Sequence, residues 1–170
     1  MVDYDKAADF WVEKDKDSVK MPEEELKKEM ESFIQKRQIC ALATASGDFV
    51  RNTAIEYNYI DGYFYLFSEG GLKFKALKDN KHVCLAIFDP VMSFTELHAL
   101  QVTGVATILE PEDEEYLRIA KIKKLSLEAL KKLSHPLHLI KITPTVYDLL
   151  ESDLKKKGYS SRQELVCEID

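Results

Sequence analysis

No stretch of this chain approaches the ~20 consecutive apolar residues that a membrane-spanning helix needs. Its opening, Met1-Val2-Asp3-Tyr4-Asp5, also lacks the basic start and apolar run of a secretory signal. These two absences predict a cytoplasmic protein with no membrane partner. A surplus of positive charge is missing as well: 24 Lys and Arg stand against 30 Asp and Glu, for a formal net charge of -6. The basic residues are interleaved with acids, so no basic face exists to hold a phosphate backbone and a nucleic-acid partner is excluded. Cysteine is scarce. Cys40, Cys84 and Cys167 are odd in number, far apart and without a Cys-x-x-Cys pair. Cys40 and Cys84 lie in apolar strand-like runs and read as small buried hydrophobes of a reducing compartment, while Cys167 reads as an exposed thiol near the end.

Catalytic side-chain constellations are also lacking. His135 and His138 are close, but Pro136 interrupts any helix and no Cys or acid cluster accompanies them, so they read as a loop entering a strand and not as a metal site. His82 and His98 are isolated, no Ser-His-Asp or Cys-His set can be assembled, and Glu112 to Glu115 reads as the charged start of a helix.

What remains is the composition of one globular domain. The 170 residues are 45% hydrophobic and 32% charged, long enough to bury a core. Residues 1–20 form a charged N-terminal arm in which Phe10 and Trp11 are too apolar for a solvated tail and are expected to dock. Residues 21–150 carry the core, and residues 151–170 form a C-terminal extension. Pro22 followed by Glu23-Glu24-Glu25 starts a helix whose Leu26, Met30, Phe33 and Ile34 share one face. Strands are expected over Ile39 to Ala45, Val50 to Ile60 and Tyr63 to Phe67, with Asp61-Gly62 as the tight turn of a hairpin.

A short helix over Lys73 to Asn80 and a strand over Val83 to Phe88 follow, and Asp89-Pro90 ends that strand. Gln101 to Leu109 reads as a strand bent at Gly104. After Pro111 a helix places Tyr116, Ile119, Ala120 and Lys123 on one face, with Leu127 and Leu130 continuing it after a break. Two last strands, Leu137 to Ile142 and Val146 to Leu150, flank Thr143-Pro144-Thr145. Ser161-Arg162-Gln163-Glu164 fits a capping box for a closing helix. The fold expected is mainly β with α: a small antiparallel, Greek-key-like barrel with helices outside it.

The segment Ser68-Glu69-Gly70-Gly71-Leu72-Lys73 joins a strand to a helix and suits a phosphate. Two glycines let the backbone turn and present N–H groups, the helix start adds more, and Lys73 supplies a full charge. Taken singly, a Gly-Gly before a helix is often only a loop, and a strand Arg or a helix-start Lys is commonly a solvated charge.

Three tokens in order make the segment more specific: Gly47-Asp48-Phe49-Val50-Arg51, Leu72-Lys73-Phe74-Lys75-Ala76-Leu77-Lys78-Asp79-Asn80, and Leu100-Gln101-Val102-Thr103-Gly104. Over roughly residues 33–150 the sequence resembles the FMN-binding split-barrel family typified by pyridoxamine 5'-phosphate oxidase. The resemblance implies a split β-barrel binding FMN between the two subunits of a homodimer. It places Arg51 at the FMN phosphate, Asn52 and Thr53 beside the flavin, and Lys73 at the same phosphate. Gln101 would meet the ring or ribityl chain, and a strand-end hydroxyl position falls on Phe67 or Ser68. Arg suits a phosphate by bidentate hydrogen bonds and Lys by charge.

The sequence also departs from the type enzyme. Glu56 stands where the oxidase has a Lys for the vitamin's phosphate, Leu72 replaces an Arg beside the helix-start lysine, and the tail lacks the oxidase's Arg-rich, Trp-containing segment. An acid at position 56 repels a phosphorylated substrate. The expectation is a flavoprotein related to the oxidase but distinct from it, an FMN-dependent oxidoreductase acting on a small-molecule redox substrate. A haem-handling protein with His98 or His138 as iron ligand, and a non-enzymatic flavin-binding dimer, remain as alternatives.

Overall fold

Strand alternation determines which side chains are buried and so how the sheet curls. In the computed structural model, which describes residues 1–90, 93 and 95–167 and of Lys131 only the backbone, eight antiparallel strands form one sheet curled into a half-barrel with helices around it. The last three residues of the C-terminal extension, 168–170, lie outside the described residues. Helices α1 (Tyr4–Asp15) and α2 (Glu23–Gln35) precede strands β1 (Ile39–Ser46), β2 (Phe49–Glu56), β3 (Asn58–Ile60) and β4 (Tyr63–Ser68). Helix α3 (Lys73–Asp79) leads to β5 (His82–Phe88) and β6 (His98–Leu109), then to α4 (Glu114–Ile122) and α5 (Leu127–Lys131). Strand β7 (His138–Glu151), a 3₁₀ helix (Ser152–Lys157) and β8 (Arg162–Val166) complete the chain. The sheet order is β2-β1-β5-β6-β7-β4-β3, with β8 paired to the far half of β7.

The core lies inside the curl. Cys40 and Leu42 of β1, Leu85 and Ile87 of β5, and Leu100 and Val102 of β6 alternate inward, and α2 closes one end with Leu26, Met30, Phe33 and Ile34. Burying each such large apolar side chain contributes ~1.5–3 kcal/mol. Cys40 behaves as the sequence suggests: burial pushes its thiol up to about 12. A second, smaller cluster forms where α4 covers the other side of β4, with Tyr65, Tyr116, Ile119 and Leu139 in it. The Tyr65 hydroxyl donates to Glu115 at 2.6 Å, and Lys141 donates to the same oxygen at 2.8 Å. The hairpin at Asp61-Gly62 forms with positive φ at both residues, 53° and 84°.

Several expected elements differ. The strand expected over Val50 to Ile60 breaks at Tyr57, whose buried ring donates its hydroxyl to the Ile34 carbonyl while its N–H goes to Gln38. The two closing strands are one, β7, because Pro144 needs no ladder donor where it stands, paired with Gly104 at a bulge. The closing helix is instead β8: its ladder to β7 outweighs the local capping signal, and Gln163 points inward to accept from Met21 N–H at 3.0 Å. Lys123 lies just past α4 and pairs with Glu56 at 3.1 Å instead of sharing the buried face. Among the described residues no helix is long and apolar enough to cross a membrane.

The bend expected at Gly104 is present. The β6–β7 register shifts between Thr103 and Gly104, and a Cβ on Gly104 would sit 2.6 Å from the Thr143 carbonyl oxygen and 2.8 Å from Ile142 Cγ2. Gly104→Ala is therefore expected to destabilise the protein by about 1–3 kcal/mol in urea unfolding, through overpacking against backbone that has nowhere to move. A loss below about 0.5 kcal/mol would show that the two strands can part without cost.

Candidate functional site

The junction after β4 is shaped by two glycines that only glycine tolerates easily: Gly70 has φ 124° and Gly71 φ 102°. Ser68, buried at the strand end, accepts from Gly70 N–H at 3.2 Å and donates to its carbonyl at 3.1 Å, which fixes the loop. Lys73 opens α3 and is 7% exposed. Its ammonium donates to the Gly70 carbonyl at 2.5 Å and has no carboxylate partner among the described residues. Burial without a counter-charge lowers its pKa from the ordinary lysine value. The N–H groups of Gly71 and Leu72 have no acceptor among the described residues. With α3 only seven residues long, the lysine and these loop N–H groups carry the anion-binding character, not the helix dipole.

Alternation along β2 separates the other candidates. Phe49, Arg51 and Thr53 share the side on which α3 packs, with the Lys75 ammonium 4.9 Å from the Phe49 ring. Arg51 is exposed, pairs in register with Thr44 of β1, and has no ion-pair partner among the described residues. Thr44 is buried, and its hydroxyl oxygen has no hydrogen-bond partner among the described residues. An orphan hydroxyl and an uncompensated ammonium on neighbouring elements leave polar groups to be satisfied by an added molecule. Helix α3, which opens at Lys73, packs on both β1 and β2, the strands that carry Thr44, Arg51 and Thr53.

Asn52 and Gln101 stand on the opposite, outer side of the sheet. The register runs Ala54, Ala41, Ala86, Gln101 across β2, β1, β5 and β6, three strand spacings or ~14 Å. The fold of one subunit therefore brings Arg51, Thr53, Ser68 and Lys73 to one rim and leaves Gln101 apart from them. Phe67 faces away from Ser68 and packs edge-on against Tyr116 beneath α4, with centroids 5.9 Å apart. The outer side itself escaped the sequence reading. Ala41, Ala43, Ala45, Ala54 and Ala86 line it, with Ile39 and Val50 exposed among them. The signal was available as alternate alanines through β1.

The histidines form no centre. His98 Nδ1 lies 2.7 Å from Glu151, His138 packs on the Phe74 ring at 4.9 Å, and among the described residues no group of three metal-ligating side chains occurs.

Residues 26–150 match the pyridoxamine 5'-phosphate oxidase family. The chain belongs to that family. Solved structures with the same fold include Campylobacter jejuni ChuZ, 17% identical with a TM-score of 0.64, covering 97% of this chain and 69% of that one. HutZ, the heme storage protein of Vibrio cholerae, is 18% identical with a TM-score of 0.56, covering 68% and 87%. An FAD-binding protein of Mesorhizobium loti is 16% identical with a TM-score of 0.56, covering 70% and 87%. These likenesses establish the fold. Comparison with curated proteins gives no match. Solved structures of this fold thus include one named for haem storage and one named for FAD binding.

The lowered pKa of Lys73 has a consequence for the ligand-free protein. Between its lowered value and the ordinary ~10.4, the unfolded chain holds this proton and the folded chain releases it, so stability from this group rises with pH in that window. Below the window the full cost of burying the charge remains. Lys73→Met is expected to stabilise the ligand-free protein at pH 7 by up to about 1 kcal/mol, with the gap closing as pH climbs toward 10. Urea unfolding of both proteins across that range checks it, and a gap that widens with pH would contradict the burial of an unpaired ammonium.

Proposed function

We propose that this protein binds FMN and works in the cytoplasm as an FMN-dependent oxidoreductase, in a homodimer whose two subunits share each cofactor site. One observation carries the reading: a buried lysine at a Gly-Gly loop that meets a backbone carbonyl and the Phe74 ring but, among the described residues, no counter-charge. A buried cation in that state calls for an anion, and the open N–H groups of the loop suit a phosphate. Lys73, the loop backbone and the Ser68 hydroxyl would hold the phosphate, with Arg51 closing over it from β2. Thr53 and Thr44 lie on the same side to meet the ribityl chain. A bound flavin would supply hydride and electron transfer, while the protein positions it and tunes its surroundings.

Gln101 and Asn52 enter this reading through a second copy. They stand on the alanine-lined outer side, whose exposed Ile39 and Val50 suit burial against another sheet. With two outer sides apposed, Gln101 of each subunit would face the phosphate rim of the other. Glu56, held by Lys123 at the end of β2, offers no cation to a phosphorylated substrate. The substrate is therefore read as a small redox-active molecule without a phosphate at that position.

The absorption spectrum of protein purified without added cofactor separates the readings: a flavin band supports this one, and a Soret band would replace it with haem. Given flavin, Lys73→Ala and Arg51→Ala are each expected to weaken FMN by at least about tenfold, and riboflavin by much less, in fluorescence titration. Equal losses for the two ligands would remove the phosphate assignment.

A further inference from the structure

Helix α1 carries an apolar stripe that its own subunit leaves in water. Tyr4, Ala7, Ala8, Trp11 and Val12 recur at the i, i+3, i+4, i+7, i+8 spacing of one helical face, yet none of the twelve residues is buried. A helix of this length packed on nothing is marginal in water, so the stripe points to a covering surface. Within the subunit Trp11 of α1 lies over the Arg162 guanidinium, 5.0 Å from its carbon. Arg162 is on the outer side of β8, since the neighbouring Gln163 points into the core. The stripe therefore continues the alanine-lined outer side at its β8 edge.

Charge indicates what covers it. Asp5 and Asp9, one turn apart on α1, have no cationic partner among the described residues. At the other edge of the sheet Arg51, Lys75 and Lys78 have no carboxylate partner among the described residues, and Leu72 and Val50 are exposed beside them. In one copy these edges are five strand spacings apart along the sheet, ~24 Å, and none of the acids of α1 pairs with Arg51, Lys75 or Lys78. A two-fold arrangement that puts Gln101 of one copy over the phosphate rim of the other reverses the strand order across the interface. By that reversal β8 of each copy falls about two strand spacings, ~10 Å, beyond the partner's β2 edge, which brings α1 alongside the partner's β2–α3 rim.

We propose that α1 is an arm that docks on a second copy of this chain, laying its apolar stripe and its acids over the β2–α3 rim. This rests on the shared-site dimer proposed above. The arm would seal the rim beside the phosphate site from outside and make each site depend on the partner's N-terminus.

Trp11 is the sole tryptophan, so its fluorescence reports the arm directly. In the intact protein, acrylamide quenching of Trp11 is expected to be suppressed at concentrations where sedimentation shows a dimer, and to reach the free-indole level on dilution to monomer. Lys75→Glu with Lys78→Glu is expected to weaken the dimer at least about tenfold, as is Asp5→Lys with Asp9→Lys, and combining the four should restore much of the loss. A dimer in which Trp11 is freely quenched, or charge reversals whose effects simply add, would overturn the arm while leaving the shared-site dimer standing. A chain that stays monomeric with flavin bound would overturn both.

Discussion

The ladder between β6 and β7 is the constraint on which the rest of the fold depends. Both strands are long, and β7 serves three neighbours: β6 along its length, β4 at its start and β8 at its end. Two such strands kept in straight register would give a flat sheet, open at both sides. The bulge at Thr103 and Gly104, opposite Pro144, bends that ladder. Strand β2 lies near β4 because the single residue Tyr57 joins it to β3, which pairs with β4, and so the loop after β4 and the inner side of β2 come to one rim.

The rim is electrostatically incomplete in a way ordinary loops are not. Folding places an ammonium where water is largely excluded and supplies it a carbonyl and the Phe74 ring but, among the described residues, no counter-charge, while a threonine hydroxyl on the adjoining strand has no hydrogen-bond partner among them. Natural cores rarely leave such groups unsatisfied, because each costs free energy that nothing local returns. Function is the ready reason for keeping them. Strand β2 is poised similarly, with Arg51 at the sheet margin and no acid to hold it among the described residues. The same subunit carries its other polar candidates, Asn52 and Gln101, on the far side of the sheet.

Much of this was legible in the residues, and the failures have physical causes. The Asp61-Gly62 hairpin, the inward face of α2 and the bend at Gly104 are local properties, written in turn chemistry and periodicity. Ser161 to Glu164 also carried a local signal, but β8 is decided by a ladder to residues 146–150, which no window around the segment contains. The same holds for Thr143-Pro144-Thr145, which looks like a strand breaker until its partner across the sheet is known to bulge. For the site, the Gly-Gly loop and Lys73 were visible as a pattern, whereas the burial of that lysine and the orphan Thr44 hydroxyl arise from packing of α3 on β1 and β2. Phe67 and Ser68 were adjacent in sequence and indistinguishable there. Alternation sends one under α4 and the other to the loop.

Cys40 bears on how the protein withstands oxidants. Peroxide attacks a thiolate, and a thiol held near 12 is ionised in only about one molecule in 10⁵ at neutral pH. Its position between α2 and the sheet, 2% exposed, adds a steric barrier to that chemical one. Cys84, on the outer side, is raised by burial as well. Where reduced cofactors and oxygen meet, peroxide is a routine by-product, and a core sulfur that could climb to sulfenic or sulfinic acid would unpack the barrel from within. The hydrophobic burial that folds this chain also keeps its central sulfur chemically quiet.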